Sequence, residues 1–218
     1  MNPMPEPIMP DPKGSPLAAN DIPPRPAFAP GRRTMTIMDA IYSRRAVRRF
    51  TAAPVPETAI HALLYAAVQA PTLAQDSAAL GFSVIGDRQV LCDLSEWTGR
   101  LYNAVEGQAM TPHRAEAGDL DFFHGGHLLM VIYDLSGEAR HVPECWMAAE
   151  NLMLAACGMG LGTCLIAPAV DALNGAEWKR RLDVPKAALA VAAIVLGTPE
   201  GPLPTVNRFP PEVFSWLS

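Results

Sequence analysis

The chain has 218 residues, half of them hydrophobic and 18% charged, with a net charge of -5. That composition supplies one sizeable core and excludes disorder of the main body. The acidic balance argues against a general nucleic-acid surface, and no apolar run approaches the roughly 18 residues of a membrane span.

Residues 1–34 contain ten prolines and almost no apolar periodicity, so they are expected to form an extended or disordered extension, leaving 35–218 as the folded domain. Thr36, followed by Ile37, Ala40 and Ile41, predicts a short capped helix. That helix runs into Ser43-Arg44-Arg45-Ala46-Val47-Arg48-Arg49-Phe50. Four guanidinium groups within six residues are conspicuous in an acidic chain whose only lysines are Lys13, Lys179 and Lys186. Arginine presents a planar fork that can hold two phosphate oxygens at once. The competing reading is a solvated helix end, where cations suit the negative pole of the helix dipole.

Pro56-Glu57 opens a second helix, with Ile60, Leu63, Leu64 and Ala67 on one stripe and Pro71 ending it. Small and polar residues from Thr72 to Ala79 predict a loop able to approach a ligand. Phe82–Ile85 reads as a strand, and Val90, Leu91, Leu94 and Trp97 as a helix. Residues 98–127 lack clear periodicity and are expected to form a mobile excursion over a substrate site.

Leu128 to Tyr133 is a continuous apolar run, the mark of a buried central strand. Pro143 begins the longest expected helix, apolar on most sides through Trp146, Ala149, Leu152, Met153 and Ala156. Such a helix must be covered on most sides, by the core and by a second subunit. Gly160-Leu161-Gly162-Thr163-Cys164-Leu165-Ile166 predicts a turn into a strand. Val170–Leu182 predicts one helix with a basic end, Ala188–Leu196 a buried strand, and the region around Val213, Phe214 and Trp216 a short terminal helix.

Several chemistries find little support. No G-x-S-x-G, G-x-x-x-x-G-K-[ST] or G-x-G-x-x-G motif occurs. His124, His127 and Cys145 lack the paired spacing of a metal site. Cys92, Cys145, Cys157 and Cys164 form no C-x-x-C pair, and their apolar settings predict buried free thiols. With an N-terminus unlike a signal peptide, these features lead to the expectation of a soluble cytoplasmic protein.

Taken together, several segments resemble the FMN-dependent nitroreductase family. They are Arg44 to Phe50 with Val55 beyond, Ala70-Pro71-Thr72, Ala149-Glu150-Asn151-Leu152-Met153-Leu154-Ala155-Ala156 leading into Gly160-Leu161-Gly162-Thr163-Cys164, and Leu196-Gly197-Thr198-Pro199 with Arg208 downstream. The match spans 35–218, with 98–127 unmatched.

The resemblance implies an α+β nitroreductase-like fold with a mixed central sheet of four to five strands, in an interlocked homodimer with FMN at each of two interface sites. It further implies that Arg44, Arg45 and Arg208 serve the FMN phosphate and ribityl chain and that Arg48 lies towards the flavin ring. Pro71, Thr72, Gln75 and Ser77 would belong to the loop at the pyrimidine edge. Leu165, Ile166 and Ala167 would lie near N5. The implied activity is electron transfer from NADH or NADPH through N5 to a nitroaromatic, a quinone or another conjugated acceptor. A flavin carrier or sensor, or a specialised reaction of the same fold, is the alternative. Three departures accompany the resemblance: Ala46 stands where the family has Ser or Asp, Gln75 where it has Asn, and Ser77-Ala78-Ala79 where it has Gln-Pro-Trp.

Overall fold

The first helix, α1 (Ile37–Ser43), starts where local chemistry dictates. The Thr36 hydroxyl accepts from the Asp39 N–H at 3.1 Å, and the Asp39 carboxylate accepts from the Thr36 N–H at 3.1 Å. This reciprocal arrangement satisfies two of the orphan donors at a helix start. The computed structural model describes residues 35–72, 80–106 and 121–217. The 1–34 extension, Gln75, Ser77 and the middle of the expected 98–127 excursion lie outside the described residues.

The elements that follow are α2 (Glu57–Ala67), β1 (Leu80–Ile85), α3 (Arg88–Glu106), β2 (Leu128–Asp134), α4 (Val142–Gly158), β3 (Gly162–Leu165), α5 (Ala167–Asn174), α6 (Ala176–Arg181) and β4 (Leu189–Gly197). The strands form a four-stranded sheet in the order β1-β2-β4-β3, and each neighbouring pair is antiparallel. The parallel component is an isolated bridge between Ala46 and Thr163 on the outer edge of β3. The fold is α+β with helices on both sheet faces.

Why both faces are covered follows from strand geometry, in which successive side chains point to opposite sides. All seven residues of β2 are buried. Leu129, Val131 and Tyr133 join a cluster with Leu94 of α3 and Ala169, Ala172 and Leu173 of α5. Leu128, Met130 and Ile132 join a second cluster with Leu63 of α2 and Cys145, Ala149 and Leu152 of α4. A strand read as a continuous apolar run therefore serves two cores, one through each face.

Four expectations require correction. Residues 98–106 are not an excursion but the continuation of α3, which runs to Glu106. Thr98 is fully buried and Tyr102 packs its ring 6.3 Å from that of Phe122, so tertiary contact supplies what periodicity alone did not show. The expected 170–182 helix is two helices, because Gly175 sits at φ -65°, ψ 142° and breaks the helical path. No helix forms around Val213, Phe214 and Trp216; the chain there is without regular structure, with Phe214 and Trp216 exposed. Val213, Phe214, Trp216 and Leu217 are all exposed, so no burial within the described chain stabilises so short a helix. Finally, Cys92 is exposed, while Cys145, Cys157 and Cys164 are buried as expected.

The buried thiols make alkaline stability testable. Burial, reinforced by the carboxylates of Asp134 and Glu144, pushes the Cys145 thiol from the ordinary 9.0 up to about 12. An unfolded chain therefore releases this proton first as pH rises, so the stabilising contribution is complete below about 9 and is lost on approach to about 12. Unfolding midpoints measured between these limits are expected to fall with pH, and to fall less steeply for Cys145→Ala. An identical slope in the variant would refute the assignment. A thiol reagent at neutral pH is expected to modify Cys92 first in the native protein.

Candidate functional site

The arginine segment reaches its place by pairing with β3 from outside the sheet. An edge strand presents unpaired main-chain groups, and here the Val47 N–H donates to the Thr163 carbonyl at 2.9 Å. Further along, the Thr51 N–H donates to the Thr198 carbonyl at 2.9 Å and the Glu200 N–H to the Arg49 carbonyl at 3.0 Å. The Arg run is thereby clamped between β3 and the chain leaving β4. Val47 and Phe50 point into the core while Arg48 and Arg49 point out.

Two glycines make this approach possible. A Cβ on Gly162 would lie 2.7 to 2.9 Å from the Val47 side chain, closer than packed carbon atoms allow. Gly160, at φ +77°, turns the end of α4 towards β3 in a conformation that side-chain-bearing residues rarely adopt. Gly160 thus ends α4, and Gly162 makes room for Val47, which brings the arginine segment to the strand edge.

A cavity of about 370 Å³ opens at this junction, lined by Ser43, Arg44 and Arg45 on one side and by Cys157, Gly160 to Thr163 and Thr198 on the other. Its size falls within the range of small-molecule sites. The two arginines play different parts. Arg45 Nη1 donates to the Tyr42 carbonyl at 2.7 Å and to the Arg44 carbonyl at 2.8 Å, capping the negative end of α1. Its charge therefore meets both readings of the sequence, since one guanidinium serves the helix end and lines the cavity. Arg44 Nε lies 3.3 Å from Glu150 Oε1 on α4. The pair is electrostatic in character, because the buried Nε has no aligned hydrogen-bond partner.

The cavity's positive charge registers on a neighbouring thiol. Burial raises the Cys157 pKa, and the charges of Arg44 and Arg45 act against that rise. Likewise burial raises Cys164 and the charge of Arg48 acts against that rise; Arg48 directly follows Val47, which is hydrogen-bonded to Thr163 of β3. A row of cations, Arg45, Arg44 and Arg48, therefore borders one strand edge.

Of the sequence-predicted residues, the fold brings Arg44 and Arg45 to the cavity and Ala46 to its Thr163 bridge. Leu165 stands exposed at the end of β3 and Ala167 exposed at the start of α5. Ile166 is buried, and its N–H donates to the Ala193 carbonyl at 2.8 Å, so that amide is already engaged. Pro71 and Thr72 are exposed beyond α2, and Arg208 is exposed on the tail; none of the three lines the cavity. Among the described residues no group of three or more His, Cys, Asp or Glu side chains could hold a metal.

Sequence reasoning quoted Glu150 and Thr198-Pro199 only as parts of family-like segments and gave them no place at the site, and it singled out neither Cys157 as a cavity residue nor the chain from Gly201 to Leu203. Glu150 had a usable signal, a lone acid on an otherwise apolar helix face. Cys157 had none, because its sequence surroundings do not differ from those of a core thiol.

Comparison with known proteins agrees with this architecture. A family model described as the nitroreductase family matches residues 41–198. A relative from Methanothermobacter thermautotrophicus, provisionally named an NADH dehydrogenase/NAD(P)H nitroreductase, is 27% identical over 183 residues, 82% of this chain and 85% of its own. A nitroreductase from Bacteroides fragilis, solved with bound FMN, superimposes with a TM-score of 0.70 at 19% identity, covering 84% of this chain and 98% of that one. An FMN-dependent nitroreductase from Clostridium difficile gives a TM-score of 0.69 at 19% identity, covering 82% and 97%.

Proposed function

This chain belongs to the nitroreductase family, and from that premise we propose that it is an FMN-dependent oxidoreductase that passes electrons from NADH or NADPH to a nitroaromatic, a quinone or another conjugated acceptor. The observation that carries the reading is the meeting of Arg44 and Arg45 with the Gly160 to Thr163 turn in one cavity. These residues are more than a hundred positions apart, and they converge on a space of ligand size with two forked cations.

The residues present fit a phosphate-bearing cofactor. A buried Arg44 Nε without an aligned partner marks a cation whose hydrogen bonding is incomplete within the chain. Gly160 has no atom within 4 Å of where a Cβ would stand, so this part of the cavity wall is open. When bound, FMN supplies the two-electron redox chemistry.

The chain's own groups do the rest. Arg44 and Arg45 would hold the phosphate. Arg48, next along the strand edge, would offset negative charge on the ring's pyrimidine side. Leu165, on the exposed end of β3, would support the ring. The 35–218 portion is the part of the chain assigned to this task.

A homodimer belongs to the same proposal. Ile37, Met38, Ile41 and Tyr42 expose an apolar face on α1, Trp146 and Met147 do so on α4, and Phe209, Phe214, Trp216 and Leu217 do so on the tail. Exposed apolar surface of this extent calls for a cover, which a second copy would supply. A cytoplasmic location is consistent with free cysteines and with the absence, among the described residues, of a helix long and apolar enough to cross a membrane.

The test is spectroscopic. Purified protein supplied with FMN is expected to be yellow, and to bleach without oxygen on addition of NADH or NADPH. A protein that takes up no FMN would overturn the cofactor assignment. A flavin that neither nucleotide reduces would overturn the donor.

A further inference from the structure

Glu150 of α4 pairs with the cavity residue Arg44, yet it is not itself among the residues that line the cavity. Its position sets it apart from the partners of Arg45. Arg45 is tied to main-chain carbonyls, which carry no net charge, whereas Arg44 is tied to a carboxylate 3.3 Å from its Nε. A full negative charge therefore sits one guanidinium away from the space into which Arg44 faces.

From this placement we infer that Glu150 is a specificity-determining residue that limits the positive charge of the cavity and so weakens its hold on the phosphate of the ligand. The inference rests on the proposed function, since it takes the phosphate of FMN as the group that meets Arg44. A phosphate held by Arg44 lies within about one Debye length of the Glu150 carboxylate at physiological salt. Like charges at that range repel appreciably when part of the path runs through protein. The alternative role, orienting Arg44, needs a directed hydrogen bond, and the Nε has none. Charge rather than geometry is what Glu150 contributes. Its side chain is 47% exposed, so the effect is moderated by solvent and responds to salt.

Two flavins that differ only in the phosphate should therefore respond differently to the loss of the Glu150 charge. Glu150→Gln keeps the size of the side chain and removes its charge. In the full chain stripped of flavin, E150Q is expected to bind FMN roughly three- to tenfold more tightly than the wild type at low salt, with the gain shrinking as salt rises. Riboflavin, which lacks the phosphate, is expected to bind both proteins alike. E150D, which keeps the charge, is expected to stay near the wild type.

Fluorescence titrations with both flavins decide the matter. FMN affinity that is unchanged or reduced in E150Q, or riboflavin affinity that moves in step with that of FMN, would overturn the role given to Glu150 and leave the cofactor assignment standing. A wild type that binds FMN no better than riboflavin would remove the phosphate from the cavity, and with it both this inference and the proposed function.

Discussion

Arg44→Ala combined with Arg45→Ala is expected to weaken FMN binding by about a hundredfold or more while leaving the folded structure in place. Each guanidinium can make charge-assisted hydrogen bonds to a phosphate, and such bonds contribute about 1.5 to 3 kcal/mol apiece. Even with substantial non-additivity the pair exceeds the roughly 2.7 kcal/mol that a hundredfold change requires. The single variants should differ in a second property. Arg45 also caps α1 through the Tyr42 and Arg44 carbonyls, so R45A is expected to lose about 1 kcal/mol of stability. Arg44 is held by an exposed carboxylate, so R44A should lose almost none. Flavin titration together with thermal unfolding of the three variants checks both statements. Retention of wild-type FMN affinity in the double variant would show that the phosphate binds elsewhere.

The second large effect is steric and acts on fold and site together. Gly162→Ala is expected to destabilise the protein by about 1 to 3 kcal/mol and to impair flavin binding at the same time. The new Cβ would stand 2.7 Å from one Val47 methyl, 2.8 Å from the Val47 Cβ and 2.9 Å from the other methyl. Val47 cannot swing aside, because it is buried among core residues and its β-branched side chain has few rotamers. The strand edge and the arginine segment must therefore separate, and the Val47 to Thr163 hydrogen bond is the first to suffer. Val47→Ala in the same chain removes both methyls but leaves a Cβ at 2.8 Å, so it should recover only part of the loss. A double-mutant cycle should show a favourable coupling of about 0.5 kcal/mol or more. Strict additivity would mean that the two positions do not touch.

Much of the fold was legible from residue patterns because the relevant physics is local. Thr36 and Asp39 form a capping box three residues apart, and that interaction needs no tertiary partner. The apolar run of β2 and the small-residue surface of α4 follow from their burial on both sides. Illegible features were those whose cause lies elsewhere in the chain. The length of α3 depends on contacts such as that between Tyr102 and Phe122, and the split at Gly175 depends on a single dihedral choice. The expected terminal helix shows the converse, since apolar spacing at 213, 214 and 216 does not make a helix where those side chains stay unburied.

The same division holds at the site. By itself the amino-acid sequence determined which groups are available: forked cations at 44, 45 and 48, small residues at 160 and 162, and the apolar strands that bring them near. Only the tertiary structure decided how those groups are used. It committed one face of Arg45 to a helix end and paired Arg44 with Glu150 of α4. The physical reason is range. Helix caps and strand alternation act over a few residues, whereas electrostatic partnership depends on distances of a few ångströms between segments that the chain separates by a hundred positions.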